Sequence, residues 1–159
     1  MVDVPMDGMS ALQGDSTVKQ KEHMMKDNGG FRKLKIYERS YKASLAIYQM
    51  IKSFPKKEND ELIDQMRRAS MSIPLNIAEG YAKRESQREF KRFLKMAIGS
   101  ANEMSVLIDY ARDFDFINNE KHEKASKEYD EIGKMLNVFI QTINEEIQKK
   151  MFVDKEEKV

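Results

Sequence analysis

The strongest candidate for contact with another molecule is a group of five cations near the middle of the chain. They are Arg84, Arg88, Lys91, Arg92 and Lys95. On a helix that turns by about 100° per residue, these side chains fall within an arc of roughly 100°, opposite the apolar residues of the same segment. Closely spaced cations on one exposed face could follow a phosphate backbone. The alternative is a solvated helix face, partly neutralised by Glu85 and Glu89.

The charge of the whole chain is unevenly distributed around these cations. Residues 31–95 hold 16 Lys or Arg against 8 Asp or Glu, whereas the remainder holds 12 basic and 19 acidic residues. This asymmetry predicts either a half that faces a polyanion or two complementary surfaces that pair between subunits. Further cations could extend the patch, although the sequence does not fix the side on which they lie: Lys33, Lys35, Arg39, Lys42, Arg67 and Arg68.

A second polar group, around Pro74, could suggest catalysis. Asn76 and Glu79 are three residues apart and share one helical face. Glu79 has no histidine or second acid at a catalytic spacing, and general acid–base chemistry needs such positioning. A structural role is the better interpretation, because Pro74 frees a carbonyl and Ser70, Ser72 and Asn76 can supply local hydrogen bonds. We expect Glu79 to pair with an arginine of its own or of a neighbouring chain.

Metal, cofactor and nuclease chemistry lack the residues they need. The chain has no cysteine, and its only histidines are His23 and His122. Di-iron bundles use Glu-x-x-His on two helices, but Asn119 stands three positions before His122. The closely spaced Arg and His of many helical RNases are also missing around His122. The sequence therefore predicts no metal site, no cofactor and no enzymatic activity.

The first element that must position these residues is a helix from Phe31 or Arg32 to the residue before Pro55. Its apolar stripe consists of Leu34, Tyr37, Tyr41, Leu45, Tyr48, Ile51 and Phe54. The tyrosines could form a stacking platform, but their helical spacing favours a place in the core. A second helix, capped by Asn59 or Asp60, carries Leu62, Met66, Ala69, Ile73 and Ile77. Pro74 should kink or break it between Ser70 and Asn76.

Two more helices complete the pattern. The third begins at the capping box Ser86–Glu89 and carries Phe90, Phe93, Leu94, Ala97, Ala101, Met104, Ile108 and Ala111. The fourth follows Asn118 or Asn119 and carries Ala125, Tyr129, Ile132, Leu136, Phe139, Ile143 and Ile147. Short connections predict an all-α, up-down-up-down antiparallel four-helix bundle over residues 31–151. Residues 1–30 are predicted to be a flexible N-terminal tail and residues 152–159 a charged C-terminal tail.

Two features of composition bear on location and packing. No stretch approaches the roughly 18 apolar residues of a membrane span, and acids stand where a signal peptide would be basic and apolar. We therefore expect a cytoplasmic protein without membrane contact. In the third helix, Gly99, Ser100 and Ala101 form a small-residue patch with Ala97. Such a patch lets another helix approach closely, and a helix of the same chain is favoured over one of a second subunit.

The segment from Arg68 to Gly80 resembles the signature of the 23S rRNA intervening-sequence protein family. It reads Arg-Ala-Ser-Met-Ser-Ile-Pro-Leu-Asn-Ile-Ala-Glu-Gly, and the likeness continues through Glu89-Phe90-X-X-Phe93-Leu94 and Ala97-Ile98-Gly99-Ser100-Ala101-X-Glu103. It covers roughly residues 31–147. The resemblance implies a four-helix bundle that assembles into homopentamers and has no established enzymatic activity. A relative similar in fold, the accessory variability protein of diversity-generating retroelements, partners a reverse transcriptase and nucleic acid.

These observations together predict a non-enzymatic, oligomeric scaffold whose basic surface binds nucleic acid, RNA in particular. The alternative is a protein-interaction module whose charged surfaces serve self-assembly or partner binding alone. Apolar residues off the main stripes favour assembly, because one chain cannot bury two faces of a helix in a single core. These residues are Ile36, Ile47 and Met50 in the first helix and Met135, Val138 and Ile140 in the fourth.

Overall fold

The computed structural model describes residues 30–55 and 60–156, with side chains as far as Lys150. A short 3-10 turn, Phe31–Lys33, leads into α1, Lys35–Ile51. The remaining helices are α2, Asp60–Ala82; α3, Gln87–Asp113; and α4, Asn119–Glu156. No strand occurs in these two stretches of the chain. The predicted all-α, four-helix class is confirmed.

Pairs of contacts at two levels along the bundle show the relative directions of the helices. Ser72 and Gly80 of α2 meet Ser100 and Phe93 of α3, respectively, so the two helices are antiparallel. In the same way, α3 meets α4 through two hydrogen-bonded pairs, Lys91 with Asn144 and Asp109 with His122. Helix α1 packs against both α2 and α4. This arrangement is compatible with the predicted up-down-up-down order.

The core is filled by the stripes of α2, α3 and α4 in much the way the periodicity predicts. Every apolar position predicted for α3 is buried, from Phe90 to Ala111. The α4 stripe is buried from Ala125 to Ile143, and Ile147 packs against its edge. Ser86 caps α3, since its hydroxyl accepts a hydrogen bond from the Glu89 amide at 3.3 Å. Asn118 does the same for α4 through the Lys121 amide.

Helix α1 buries only part of the predicted stripe. Leu34, Ile51 and Phe54 are buried as predicted, but Tyr41 and Tyr48 are each 47% exposed. Ile36, Ile47 and Met50, which were expected at a subunit interface, are buried in the core, so these three residues give no motive for assembly. Tyrosine suits the exposed position because its ring is apolar and its hydroxyl can remain in water.

The proline in α2 does not break the helix, so of the two predicted alternatives the break is wrong and the kink stays a prediction. Pro74 lies inside a helix that continues from Asp60 to Ala82. Side chains provide hydrogen bonds around it: the Ser70 hydroxyl donates to the Arg67 carbonyl at 3.0 Å, and Asn76 Nδ2 donates to the Ser72 carbonyl at 2.8 Å. Proline removes the usual donor to the Ser70 carbonyl, and these bonds support the neighbouring turns.

A buried ion pair joins α1 to α4. Arg39 donates to both carboxylate oxygens of Glu128, at 2.7 and 2.9 Å. The side chains of Arg39 and Glu128 are only 21% and 6% exposed. The hydrogen bonds to Glu128 raise the pKa of Arg39 above its usual value. Arg39 therefore does not extend the basic patch, as the sequence had left open.

The ends of the chain were predicted to be tails. The predicted N-terminal tail lies outside the described residues, except Gly30. At the other end, α4 continues to Glu156, five residues into the predicted C-terminal tail. Over the residues that the structure describes, none of the helices combines the length and apolar character needed to cross a membrane.

Candidate nucleic-acid interface

The five predicted cations lie close together, but they do not form one helical face. Helix α3 begins at Gln87, so Arg84 belongs to the connection between α2 and α3. The other four cations lie on the first turns of α3, opposite its buried stripe. Arg88, Arg92 and Lys95 are exposed, whereas Arg84 and Lys91 are half-buried. The placement of Arg84 on the helix was wrong, because the capping residue Ser86 ends the connection only after it.

Arg84 and Lys91 are held by neighbouring groups. The Arg84 guanidinium lies 4.3 Å from the centre of the Tyr81 ring, and its Nη1 donates to the Tyr81 carbonyl at 3.1 Å. Lys91 Nζ donates to Asn144 Oδ1 of α4 at 2.8 Å. Lys91 retains donors that a phosphate could use, since an ammonium group has three N–H groups.

Arg92 is paired with an acid on its own helix. Its guanidinium lies 3.0 Å from Glu89 and stacks over the Phe93 ring, 4.5 Å from the ring centre. The hydrogen bond from Arg92 lowers the pKa of Glu89, and the same bond raises the pKa of Arg92. Because both groups are exposed, the pair contributes little to stability. A polyanion would have to compete with Glu89 for this arginine.

Arg88 and Lys95 carry the charge that is available for binding. Both side chains are exposed, and in the described part of the chain neither has an ion pair or a hydrogen bond. They lie two helical turns apart on α3, about 10 Å along its axis. Two exposed cations at this separation can contact different phosphates of one backbone.

The cations that might have extended the patch are divided between free and paired groups. Lys42 is bound to Glu38 at 2.7 Å and Arg67 to Asp64 at 2.9 Å, so both are partly neutralised. Lys33 and Arg68 are exposed. No ion pair involves them within the residues described.

The polar residues around Pro74 form hydrogen bonds and an ion pair with neighbouring side chains and backbone groups. Asn76 Nδ2 bonds the Ser72 hydroxyl as well as its carbonyl, and Ser72 bonds Ser100 of α3 at 2.9 Å. Glu79 is exposed and pairs with Lys83 at 3.4 Å; within this chain its partner is a lysine, and pairing with an arginine of a neighbouring chain stays a prediction. The serine contact connects α2 to α3.

The two glycines of interest, Gly80 and Gly99, have opposite surroundings. A Cβ on Gly80 would lie 2.8 Å from Phe93 Cβ and 3.0 Å from the Phe90 ring, so glycine is needed where α2 and α3 cross. A Cβ on Gly99 would meet nothing within 4 Å. The close approach expected at the Gly99 patch therefore occurs at Gly80, while Ala97 and Ala101 are buried within the chain.

The structure also brings together a cluster that the sequence did not suggest. His122 Nε2 lies 2.7 Å from Asp109 Oδ1, 3.2 Å from Arg112 Nη1 and 3.5 Å from the Ser126 hydroxyl. A catalytic Ser-His-Asp arrangement needs serine and acid on opposite ring nitrogens. Here all three neighbours meet the same nitrogen, so the cluster fastens α3 to α4 and cannot relay a proton. Its members are 10 and 13 positions apart across a turn, a spacing that matches no catalytic motif.

Among the residues that the structure describes, no three His, Asp or Glu side chains are placed to hold a metal ion.

Comparison with curated proteins gives no significant match. Among solved structures, the chain is similar to a protein with unknown function from the S23 ribosomal protein family of Bacteroides thetaiotaomicron VPI-5482. The identity is 25% and the TM-score 0.60, with 66% of this chain and 97% of that chain covered. The model of the 23S rRNA-intervening sequence proteins matches residues 32–138. Because this match spans most of the helical bundle, the chain belongs to the 23S rRNA-intervening sequence protein family.

Proposed function

We propose that the protein is a non-enzymatic, self-associating helical scaffold whose basic surface binds nucleic acid, RNA in particular. The observation that carries the proposal is the pair of exposed, unneutralised cations Arg88 and Lys95 on α3, with Arg84, Lys91 and Arg92 beside them. The family description refers to 23S rRNA, which supports RNA as the polyanion. The resemblance to the retroelement accessory protein supports a role beside a nucleic-acid enzyme such as a reverse transcriptase.

Reversing the charge of Arg88 and Lys95 should weaken RNA binding. In the Arg88→Glu/Lys95→Glu variant, affinity should fall for unrelated sequences, because phosphate contacts carry no base information. The log–log salt slope should flatten by about 0.7 to 0.9 for each phosphate that is no longer bound. Fluorescence anisotropy with RNA and DNA at several salt concentrations measures both quantities.

The matched control is Lys121→Glu/Lys127→Glu, two exposed lysines on α4. This variant has the same change of net charge but should bind nearly as well as the unchanged protein. If the α3 variant keeps full affinity while folded and correctly assembled, the nucleic-acid proposal fails. The protein-interaction alternative would then be preferred.

Exposed apolar side chains of α1, α2 and α3 support self-association. These are Tyr41, Tyr48, Met71, Leu75, Met96, Val106 and Tyr110, each at least 46% exposed. Where such side chains adjoin one another, they form the kind of apolar patch that is typical of an interaction surface. The same observation supports the alternative function, in which this surface binds a protein partner and the cations serve assembly only.

We expect a symmetric homopentamer, as the family resemblance implies. Light scattering at micromolar concentration should give a mass near five times the 18.6 kDa of one chain. Leu75→Asp, which places a charge at a site that is 62% exposed in one chain, should lower that mass without unfolding the helices. A monomer mass for the unchanged protein would contradict self-association.

A further inference from the structure

The charged side chains are distributed unequally between the two ends of the bundle. At one end, α1 begins, α2 ends and α3 begins, and the cations there are Arg32, Lys33, Lys83, Arg84, Arg88 and Arg92. At the other end, the described acids are Asp60, Glu61, Asp113, Asp115, Glu120 and Glu123. Six of the 16 cations of residues 31–95 therefore lie at the first end, which we call the basic end. The other end holds Lys52, Arg112, Lys121 and Lys124 beside its acids.

The 3-10 turn belongs to the basic end because α1 ends at the opposite one. Phe54, which follows α1, packs against Phe116 of the connection between α3 and α4, with ring centres 5.2 Å apart. The turn Phe31–Lys33 precedes α1 and packs against both α1 and α2. Arg32 and Lys33 are exposed.

Aromatic rings fix most of these cations in place. Arg32 lies 4.6 Å from the centre of the Phe31 ring, and Arg84 lies 4.3 Å from that of Tyr81. Lys83 and Arg92 approach the Phe93 ring at 4.7 and 4.5 Å. A cation held over a ring loses less side-chain freedom when it binds a ligand, so the basic end is prepared for phosphate contacts.

The acids at this end weaken the field but do not cancel it. Glu79 lies 3.4 Å from Lys83, and Glu89 lies 3.0 Å from Arg92. Glu85 is exposed in the connection. Arg32, Lys33 and Arg88 have no ion pair in the described stretches of the chain, so three exposed charges remain on two separate segments.

We propose that the nucleic-acid site extends from α3 across the basic end, and that its ligand is double-helical nucleic acid held by its phosphates. This inference rests on the proposed function and adds a second contact segment, Arg32 and Lys33. A duplex fits because the rings among these cations lie beneath them: Tyr81 and Phe93 are 6% and 5% exposed, and Arg32 lies over the partly buried Phe31 ring. Binding to single strands commonly uses such open rings, whereas duplex backbones need only spaced cations.

The test uses the full chain with Arg32→Glu/Lys33→Glu, a change remote from α3 in sequence. Fluorescence anisotropy is measured with three labelled probes of the same sequence: a short RNA duplex, a DNA duplex and single-stranded RNA. Affinity for the duplexes should fall on the order of tenfold for each phosphate that is no longer bound at about 0.1 M salt. Circular dichroism and light scattering establish that the variant is folded and assembled. Lys121→Glu/Lys127→Glu is again the control and should retain full affinity.

The outcomes separate this inference from the function on which it rests. If Arg88→Glu/Lys95→Glu weakens binding but Arg32→Glu/Lys33→Glu does not, the extension across the basic end is overturned and the α3 site stands. If neither variant loses affinity, both proposals are overturned. A clear preference for single-stranded RNA over both duplexes would overturn the choice of ligand. An equal fall in affinity for RNA and DNA duplexes supports recognition of the shared phosphate backbone.

Discussion

Replacing Arg39 with methionine should destabilise the protein by about 3 to 5 kcal/mol, because Glu128 would remain buried without its partner. Both carboxylate oxygens of Glu128 accept hydrogen bonds from Arg39, and the glutamate side chain is only 6% exposed. Since Arg39 itself is 21% exposed, water can reach part of the site, and we expect the lower half of that range. Urea denaturation, at one protein concentration for all variants, measures the free energy of unfolding.

The double replacement Arg39→Met/Glu128→Leu should recover most of this stability. Removing both charges leaves no group to desolvate, and apolar side chains of similar volume can fill the space between α1 and α4. The double-mutant cycle then gives the coupling between the two residues. Lys42→Met is the matched control on the same helix, because its partner Glu38 is 59% exposed, and it should change stability by less than about 1 kcal/mol. A double variant as unstable as Arg39→Met would show that packing around the arginine, not its charge, stabilises this part of the bundle.

The side of α1 that faces α4 could not be predicted from sequence periodicity. In α3, large apolar side chains recur on a single face, so periodicity fixes the buried side. Helix α1 offers two apolar stripes, one with Tyr41 and Tyr48 and one with Ile36 and Ile47. Only the positions of α2 and α4 decide between them, because tyrosine is stable on the surface and isoleucine loses more by exposure. The choice of stripe also turns Arg39 toward α4.

The candidate site was predictable to a similar extent. The spacing of Arg88, Lys91 and Lys95 and the cap at Ser86 place these cations opposite the core of α3. The bond of Lys91 to Asn144 joins residues 53 positions apart, and no local pattern indicates it. The basic end depends equally on tertiary structure, since Arg32 and Arg84 belong to separate segments, and the turn that holds Arg32 packs against α2.

Adding one methyl group at Gly80 should be among the most damaging small changes in the chain. The new Cβ of Gly80→Ala would lie 2.8 Å from Phe93 Cβ, and Phe93 Cβ cannot move without its backbone. Helices α2 and α3 would have to separate, and overpacking of this kind costs about 1 to 3 kcal/mol. Alanine favours helix over glycine by about 1 kcal/mol, which offsets part of this cost. Because the contact at 2.8 Å is with a Cβ atom, we expect a steric cost in the upper half of that range, hence a net destabilisation of about 1 to 2 kcal/mol, and a larger one for Gly80→Val.

The same substitution at Gly99 should act in the opposite direction. Gly99 is in the middle of α3, and a Cβ there would meet nothing within 4 Å. Without a steric cost, Gly99→Ala should stabilise the protein by up to about 1 kcal/mol through helix propensity alone. Comparing the two variants by urea denaturation isolates the effect of the close crossing, because the chemical change is identical. If Gly80→Ala stabilises the protein as much as Gly99→Ala, the close crossing of α2 and α3 at Phe93 cannot be what requires glycine.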